Sequence, residues 1–211
     1  MARRARLCYT KTMPIAGILL AAGSATRMGA NKLLLAVEGE SLLRRAARTG
    51  VEAGLDPLLV VVGHEAERAE AELRGLACRP VRNLAHARGM SSSLSAGIEA
   101  VPAGCPAAVI LLADMPLVSA GMIRAVEARW RETGAPVVTA RYGGVAAPPT
   151  LYDRSLFGEL TGGEGEGRGR AVVRRHAERA AFVDWPAAAL ADVDVAEDWE
   201  RARAGLAGGA R

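Results

Sequence analysis

The chain has 211 residues, 50% hydrophobic and 24% charged, with a formal net charge of +4. That length suits one α/β domain with a real core. The mildly basic balance suits polyphosphate ligands, while aromatics at 4% and the lack of a Lys/Arg run interleaved with them argue against a nucleic-acid-stacking surface. The basic start, Met1 to Arg6, resembles a signal n-region, but the apolar stretch Ile15 to Ala22 is too short to span a membrane. It also runs into a glycine motif rather than a cleavage site. Residues 1–13 read as a disordered tail and 14–211 as a single domain. Cys8, Cys78 and Cys105 form no C-x-x-C pair, and His64, His86 and His176 are scattered, so neither a disulfide framework nor a zinc site is expected. A reducing cytoplasm is the simplest setting, with no membrane partner.

In chain order, Ile15–Ala21 is a continuous apolar run, the pattern of a strand buried on both faces. The same pattern recurs at Pro57–Val62, Ala108–Leu112 and Pro136–Ala140, and a more polar edge strand is expected near Cys78 to Arg82. Ser41 opens a helix with Leu42, Leu43, Ala46 and Ala47 on one stripe. Ser119 caps a second helix whose Met122, Ile123, Val126 and Trp130 share a face, and Thr133-Gly134 stops it. Alternating buried strands and amphipathic helices predict a mainly parallel sheet with helices on both faces. From Tyr142 the rhythm breaks. Tyr142-Gly-Gly and Ala147-Pro-Pro149 suggest a hairpin or irregular excursion, and Ser155 to Leu160 a short helix. A glycine-rich loop, a helix near Ala171–Glu178, a strand near Ala181–Trp185 and a last helix from about Ala196 follow.

Four segments carry candidate chemistry. Ala21, Ala22, Gly23 and Ser24 directly follow the first buried strand, where glycine lets a ligand approach the backbone and N–H groups face phosphate. Arg27 and Lys32 add positive charge, although the loop is neither a Walker loop nor G-x-G-x-x-G. Asp114, in Leu112-Ala-Asp-Met-Pro116, stands at the end of another buried strand, where open α/β sheets bind ligands and a carboxylate suits Mg²⁺. A turn-capping role competes for it. Asp192 and Asp194 lie before the last helix, so Asp194 is a second metal ligand or an N-cap. Finally, Asn83 to Leu94 places Ser91 and Ser92 at a helix start, where hydroxyl and backbone donors suit a base, ribose or phosphate, or simply cap. His86 in the same segment reads as a surface residue.

Together these sites resemble the MobA-like NTP transferase superfamily, most closely its molybdenum cofactor cytidylyltransferase branch. The matches are L-A-A-G at Leu20 to Gly23 with Arg27-Met-Gly29 and Lys32, G-M-S-x-S-L at Gly89 to Leu94, D-M-P at Asp114 to Pro116 and D-x-D-x-x-E-D at Asp192 to Asp198. The resemblance covers roughly residues 15–200. It implies a Rossmann-like sheet of the nucleotide-diphospho-sugar transferase type. It also implies a triphosphate wrapped by Ala21–Lys32 with Arg27 and Lys32 on phosphates, and Mg²⁺ held by Asp114 and Asp194. Asn83, Ser91 and Ser92 would border the nucleotide or the acceptor. The implied reaction moves CMP from CTP onto molybdopterin, a phosphorylated pterin, and releases pyrophosphate; a molybdenum hydroxylase would be the client. The guanylyltransferase branch usually has a second glycine where Ala22 stands. Other acceptors in the same class, or a non-catalytic cofactor carrier, remain alternatives. The chain departs from the pattern at Ala147, Glu166 and Arg168, where the family has Gly, Asp and Gly. The loop Gly162 to Arg170 is expected to be mobile and to meet the acceptor phosphate through Arg168 and Arg170.

Overall fold

A computed structural model describes residues 13–23, 31–34, 36–37, 39–162 and 167–190 of the chain. Seven strands form one sheet in the order β5-β4-β1-β6-β8-β7-β9. These are β1 (Ala16–Ala21), β4 (Leu58–Val62), β5 (Arg79–Arg82), β6 (Ala107–Leu112), β7 (Val137–Tyr142), β8 (Val145–Asp153) and β9 (Ala181–Trp185). A separate small hairpin joins β2 (Ala36–Val37) to β3 (Glu40–Ser41). The sheet is mainly parallel, as the buried apolar runs predict. Only β8 runs against its neighbours, β6 and β7. The cause is local. The Gly143-Gly144 turn, with φ of 54° and 95°, returns the chain directly after β7, and tight turns with both central residues at positive φ favour glycine.

Both faces of the central strands are covered. The helices α1 (Leu42–Glu52), α2 (Ala66–Glu72) and α4 (Ala120–Thr133) lie on one face, where Leu43, Ala47, Ala69, Ile123, Val126 and Trp130 meet Leu19, Val60 and Val109. The helices α3 (Met90–Glu99), α5 (Phe157–Thr161) and α6 (Arg168–Arg175) lie on the other, where Leu94, Ile98, Phe157, Leu160 and Val172 meet Ile18, Val61 and Ile110. Each of the Leu, Ile, Val and Phe side chains contributes about 1.5–3 kcal/mol when fully withdrawn from water, which is why the apolar periodicity is obeyed. The caps expected at Ser41 and Ser119 are present. Ser41 Oγ accepts from Arg44 N at 3.2 Å and Ser119 Oγ from Met122 N at 3.3 Å. Gly134, at φ 62°, ends α4 in the left-handed conformation, which glycine adopts without a Cβ clash.

Helix α3 sits unusually close to the sheet through one glycine. A Cβ on Gly97 would lie 2.4 Å from Ile18 Cγ2 and 3.1 Å from Val61 Cγ2. This contact fixes how far α3, and the serines at its start, stand above β1 and β4.

The described residues correct one expectation and leave others aside. The helix expected from Ala171 begins at Arg168, because Gly167 at φ 72° turns the chain into it there. Arg168 is therefore the first helical residue rather than part of a glycine-rich loop. Residues 1–12, 163–166 and 191–211, including the expected last helix and Glu166, lie outside the described residues. Among the described residues, no helix is long and apolar enough to cross a membrane.

Candidate active site

The strand order dictates where a ligand can enter. From β1 the chain moves outward through β4 to β5, then returns by α3 to β6 on the other side of β1. The crossover leaving β1 runs through α1 on one face and the crossover entering β6 runs through α3 on the other, so the strand order reverses between β1 and β6, where a crevice opens beyond their carboxyl ends. Ala22 and Gly23 leave β1 there, and Ala113 and Asp114 leave β6, with Ala113 N donating to Leu20 O at 3.2 Å. Ala21 and Ala22 are buried while Gly23 is exposed. A Cβ on Gly23 would meet nothing within 4 Å. Among the described residues, crowding therefore gives no reason for glycine at 23, whereas close approach of a ligand to its backbone does.

Lys32 enters the crevice from a 3-10 turn, Lys32–Leu34, started by the buried Asn31, whose Oδ1 accepts from Leu33 N at 3.2 Å. Asn31 is braced in turn by Glu65. The Arg68 guanidinium, with help from the Asn31 amide, holds the Glu65 carboxyl below its usual range. The Lys32 ammonium donates to Asp114 Oδ2 at 2.8 Å, with the two side chains 16% and 28% exposed. Residues 82 positions apart, singled out separately for phosphate and for metal, therefore share one site.

That donor set fits a hard divalent cation. Mg²⁺ keeps several waters and is held by one or two carboxylates together with substrate phosphates, rather than by an all-protein cage. Asp114 is a partly open carboxylate at the crevice mouth, and the described residues hold no cluster of three or more His, Cys, Asp or Glu that would form a closed cage. Ser24, Arg27 and Asp194, the remaining expected contacts, lie outside the described residues, as do Asp192, Glu197 and Asp198.

The other wall is the segment from Asn83 into α3. Asn83 is 6% exposed and its polar atoms turn inward. Its Nδ2 donates to Ser92 Oγ at 2.9 Å and Ser93 Oγ at 3.0 Å, and its Oδ1 accepts from Ala85 N at 2.9 Å. Ser92 Oγ reaches Gly89 O at 2.8 Å and Ala85 O at 3.0 Å. Asn83 and Ser92 thus hold the turn that aims the first N–H groups of α3. Ser91 is 5% exposed at the start of that helix.

The roles of two residues of this wall were not legible beforehand. His86 packs onto Gly63 at the end of β4, where a Cβ would lie 2.5 Å from His86 Cβ and 3.0 Å from Ala22 Cβ. It is a wall beside the loop rather than a plain surface residue, and its only advance signal was the glycine at 63. Arg168 is the second. Its Nη1 donates to Ser95 Oγ at 2.7 Å and to Leu160 O at 3.1 Å. The expectation that Arg168 serves an acceptor phosphate from a loop is thereby corrected, because the guanidinium is directed between helices. Arg170, one residue beyond Gly169 on α6, is exposed. Ala147 lies within β8, where its carbonyl accepts from Thr139 Oγ1 at 3.2 Å.

The fold agrees with the family comparison: residues 17–180 match the MobA-like NTP transferase domain. The chain belongs to that family and is a nucleotidyltransferase of the MobA-like type. It is 28% identical over 204 residues to the purine catabolism protein PucB of Bacillus subtilis, covering 89% of this chain and 95% of PucB. It is 36% identical over 132 residues to the bifunctional protein GlmU of Anaeromyxobacter dehalogenans, covering 60% of this chain but only 27% of that longer protein. Among solved structures it resembles Rv0371c of Mycobacterium tuberculosis at a TM-score of 0.79 and 25% identity, over 91% of this chain and 98% of that one. A further structure of Rv0371c is a complex with manganese, alike in fold at a TM-score of 0.75 and 24% identity over 90% of this chain and 98% of that one.

Proposed function

We propose that the protein transfers CMP from CTP to the phosphate of a phosphorylated pterin, molybdopterin, and releases pyrophosphate. The observation that carries the transfer reaction is the Lys32–Asp114 pair at the mouth of the switch-point crevice. It joins a phosphate-seeking ammonium to a metal-seeking carboxylate beside a glycine that no described residue crowds. The choice of CTP is supported by Ala22, where guanylyltransferases usually carry a second glycine, and by Gly89-Met-Ser-Ser-Ser-Leu94.

Phosphoryl and nucleotidyl transfer depend on positioning and charge neutralisation more than on a covalent partner. The acceptor phosphate oxygen is already anionic and attacks the α-phosphorus in line, with no strong base required. The Gly23 backbone admits the triphosphate, and the N-terminal N–H groups of α3, aimed by Asn83 and Ser92, face the nucleotide. Lys32 turns from Asp114 to the β- and γ-phosphates and takes up the charge that grows on departing pyrophosphate, in concert with Arg27. Asp114 and Asp194 would hold Mg²⁺, which supplies Lewis-acid polarisation of the α-phosphate when bound.

Calorimetry with Mg²⁺ present tests the nucleotide, and pyrophosphate release on adding molybdopterin tests the acceptor. CTP is expected to bind more tightly than GTP. GTP binding ten-fold tighter, about 1.4 kcal/mol in the other direction, would overturn the nucleotide choice. Pyrophosphate release with a sugar phosphate and none with the pterin would overturn the acceptor.

A further inference from the structure

Arg168 stands where the family pattern has glycine, so its presence has to be explained from this chain. It opens α6 behind Gly167 and is half-buried between three helices. Its Nη1 reaches Ser95 Oγ on α3 at 2.7 Å and Leu160 O at the end of α5 at 3.1 Å. Ser95 Oγ passes the link on, donating to Ser91 O at 3.1 Å one turn earlier in α3. The Arg168 backbone N lies 3.5 Å from Ser91 Oγ. The neighbouring Gly169 is seated as tightly. Its carbonyl accepts from Tyr152 Oη at 3.1 Å, and a Cβ there would lie 3.2 Å from that oxygen.

The start of α3 is therefore held from two sides. Asn83 clamps it at Ser92 and Ser93, and Arg168 clamps it at Ser95 and Ser91. We infer that Arg168 is a positioning residue for nucleotide binding, fastening α6 to α3 so that Ser91 and the first N–H groups of α3 face the crevice. A charged donor bridging a hydroxyl and a carbonyl gives a stiffer tie than a neutral one. Ser95 accepts from Arg168 while donating to Ser91 O, so the two bonds reinforce each other. This role rests on the nucleotidyltransferase reading above, and it contrasts with direct contact between Arg168 and the acceptor.

The test is calorimetric titration of Arg168→Ala, Arg168→Lys and Ser95→Ala with CTP and with GTP in Mg²⁺, together with acceptor KM at saturating CTP. The expected result is CTP affinity weakened roughly three- to ten-fold in Arg168→Ala, the range of one or two lost hydrogen bonds. Ser95→Ala should reproduce part of that loss, the double variant should be no worse than Arg168→Ala alone, and Arg168→Lys should recover most of it. Acceptor KM should stay at the wild-type value. Unchanged CTP affinity in both alanine variants, even with a lower Tm, overturns the positioning role, as does a raised acceptor KM with CTP affinity intact. Should Arg168→Ala fail to fold, Ser95→Ala decides alone, because it cuts the same chain and leaves Arg168 bonded to Leu160. A wild-type protein that binds neither nucleotide overturns the functional reading itself, and this role with it.

Discussion

In the proposed reaction Lys32 and Asp114 would combine two functions that pull in opposite directions. Without ligand each charge neutralises the other at 2.8 Å. With ligand bound, the proposed roles would draw each elsewhere. At 16% and 28% exposure the pair is largely withdrawn from water, so the desolvation of the two charges offsets much of their attraction and its net worth to folding is small. Its worth to the reaction is larger, since removing one donor aimed at developing charge typically costs about 10²–10³-fold in rate. Asp114→Asn, which is isosteric, is therefore expected to cut pyrophosphate release by at least about 100-fold while Tm stays near wild type. Lys32→Ala should behave in the same way. Near-normal turnover in Asp114→Asn would reduce Asp114 to a counter-ion for Lys32, and a Lys32→Ala protein that loses Tm but keeps its rate would make Lys32 a structural residue.

At the scale of elements, α3 matters most, because it carries the serines and rests directly on β1 and β4. Its seat is Gly97, which leaves no room for a methyl against Ile18. Gly97→Ala should gain about 1 kcal/mol of helix propensity but lose more, about 1–3 kcal/mol, to overpacking against a β-branched side chain that cannot swing aside. The expected net result is a lower Tm by calorimetry and weaker nucleotide binding, as α3 is lifted from the sheet. A Tm above wild type would mean that α3 does not sit on Ile18 as described. The far end of α6 shows the complementary device. Glu159 of α5 bonds His176 at 2.9 Å and pairs with Arg175, so α6 is tied to α5 at its end as Arg168 ties it at its start. The His176 contact, then Arg175, holds the Glu159 carboxyl below its usual range.

For the whole molecule, the reading implies a domain whose stability responds to nucleotide. The crevice lies between the two halves of the sheet, so a ligand there contacts β1, β6 and α3 together. Saturation with Mg·CTP at about 100 times Kd should add ~2.7 kcal/mol. At roughly 2–4 °C per kcal/mol for a domain of this size, Tm should rise by about 5–10 °C in differential scanning calorimetry. GTP at the same concentration should raise it less. Equal shifts with both nucleotides would remove the basis for a cytidylyltransferase, and no shift with either would leave the crevice without its proposed ligand.

The amino-acid sequence determined the layered sheet because burial on both faces leaves continuous apolar runs. Ala16–Ala21, Leu58–Val62 and Ala107–Leu112 are such runs, and the stripes and caps of α1 and α4 follow the helical period just as directly. It also singled out Lys32, Asp114 and the Asn83–Ser92 segment as candidates from their places after buried strands and at a helix start, while leaving capping roles open for Asp114 and the serines. It left α2 unmarked, because seven residues behind the left-handed Glu65 carry too short a period. It placed the start of α6 too late, because glycines hide a helix whose first turn is held by distant partners. Only the tertiary structure decided that Lys32 and Asp114 touch, that His86 fills the space Gly63 leaves, and that Arg168 faces Ser95 rather than solvent. Those contacts join residues far apart in the chain, and local propensity holds no information about a partner that arrives only when the sheet is assembled.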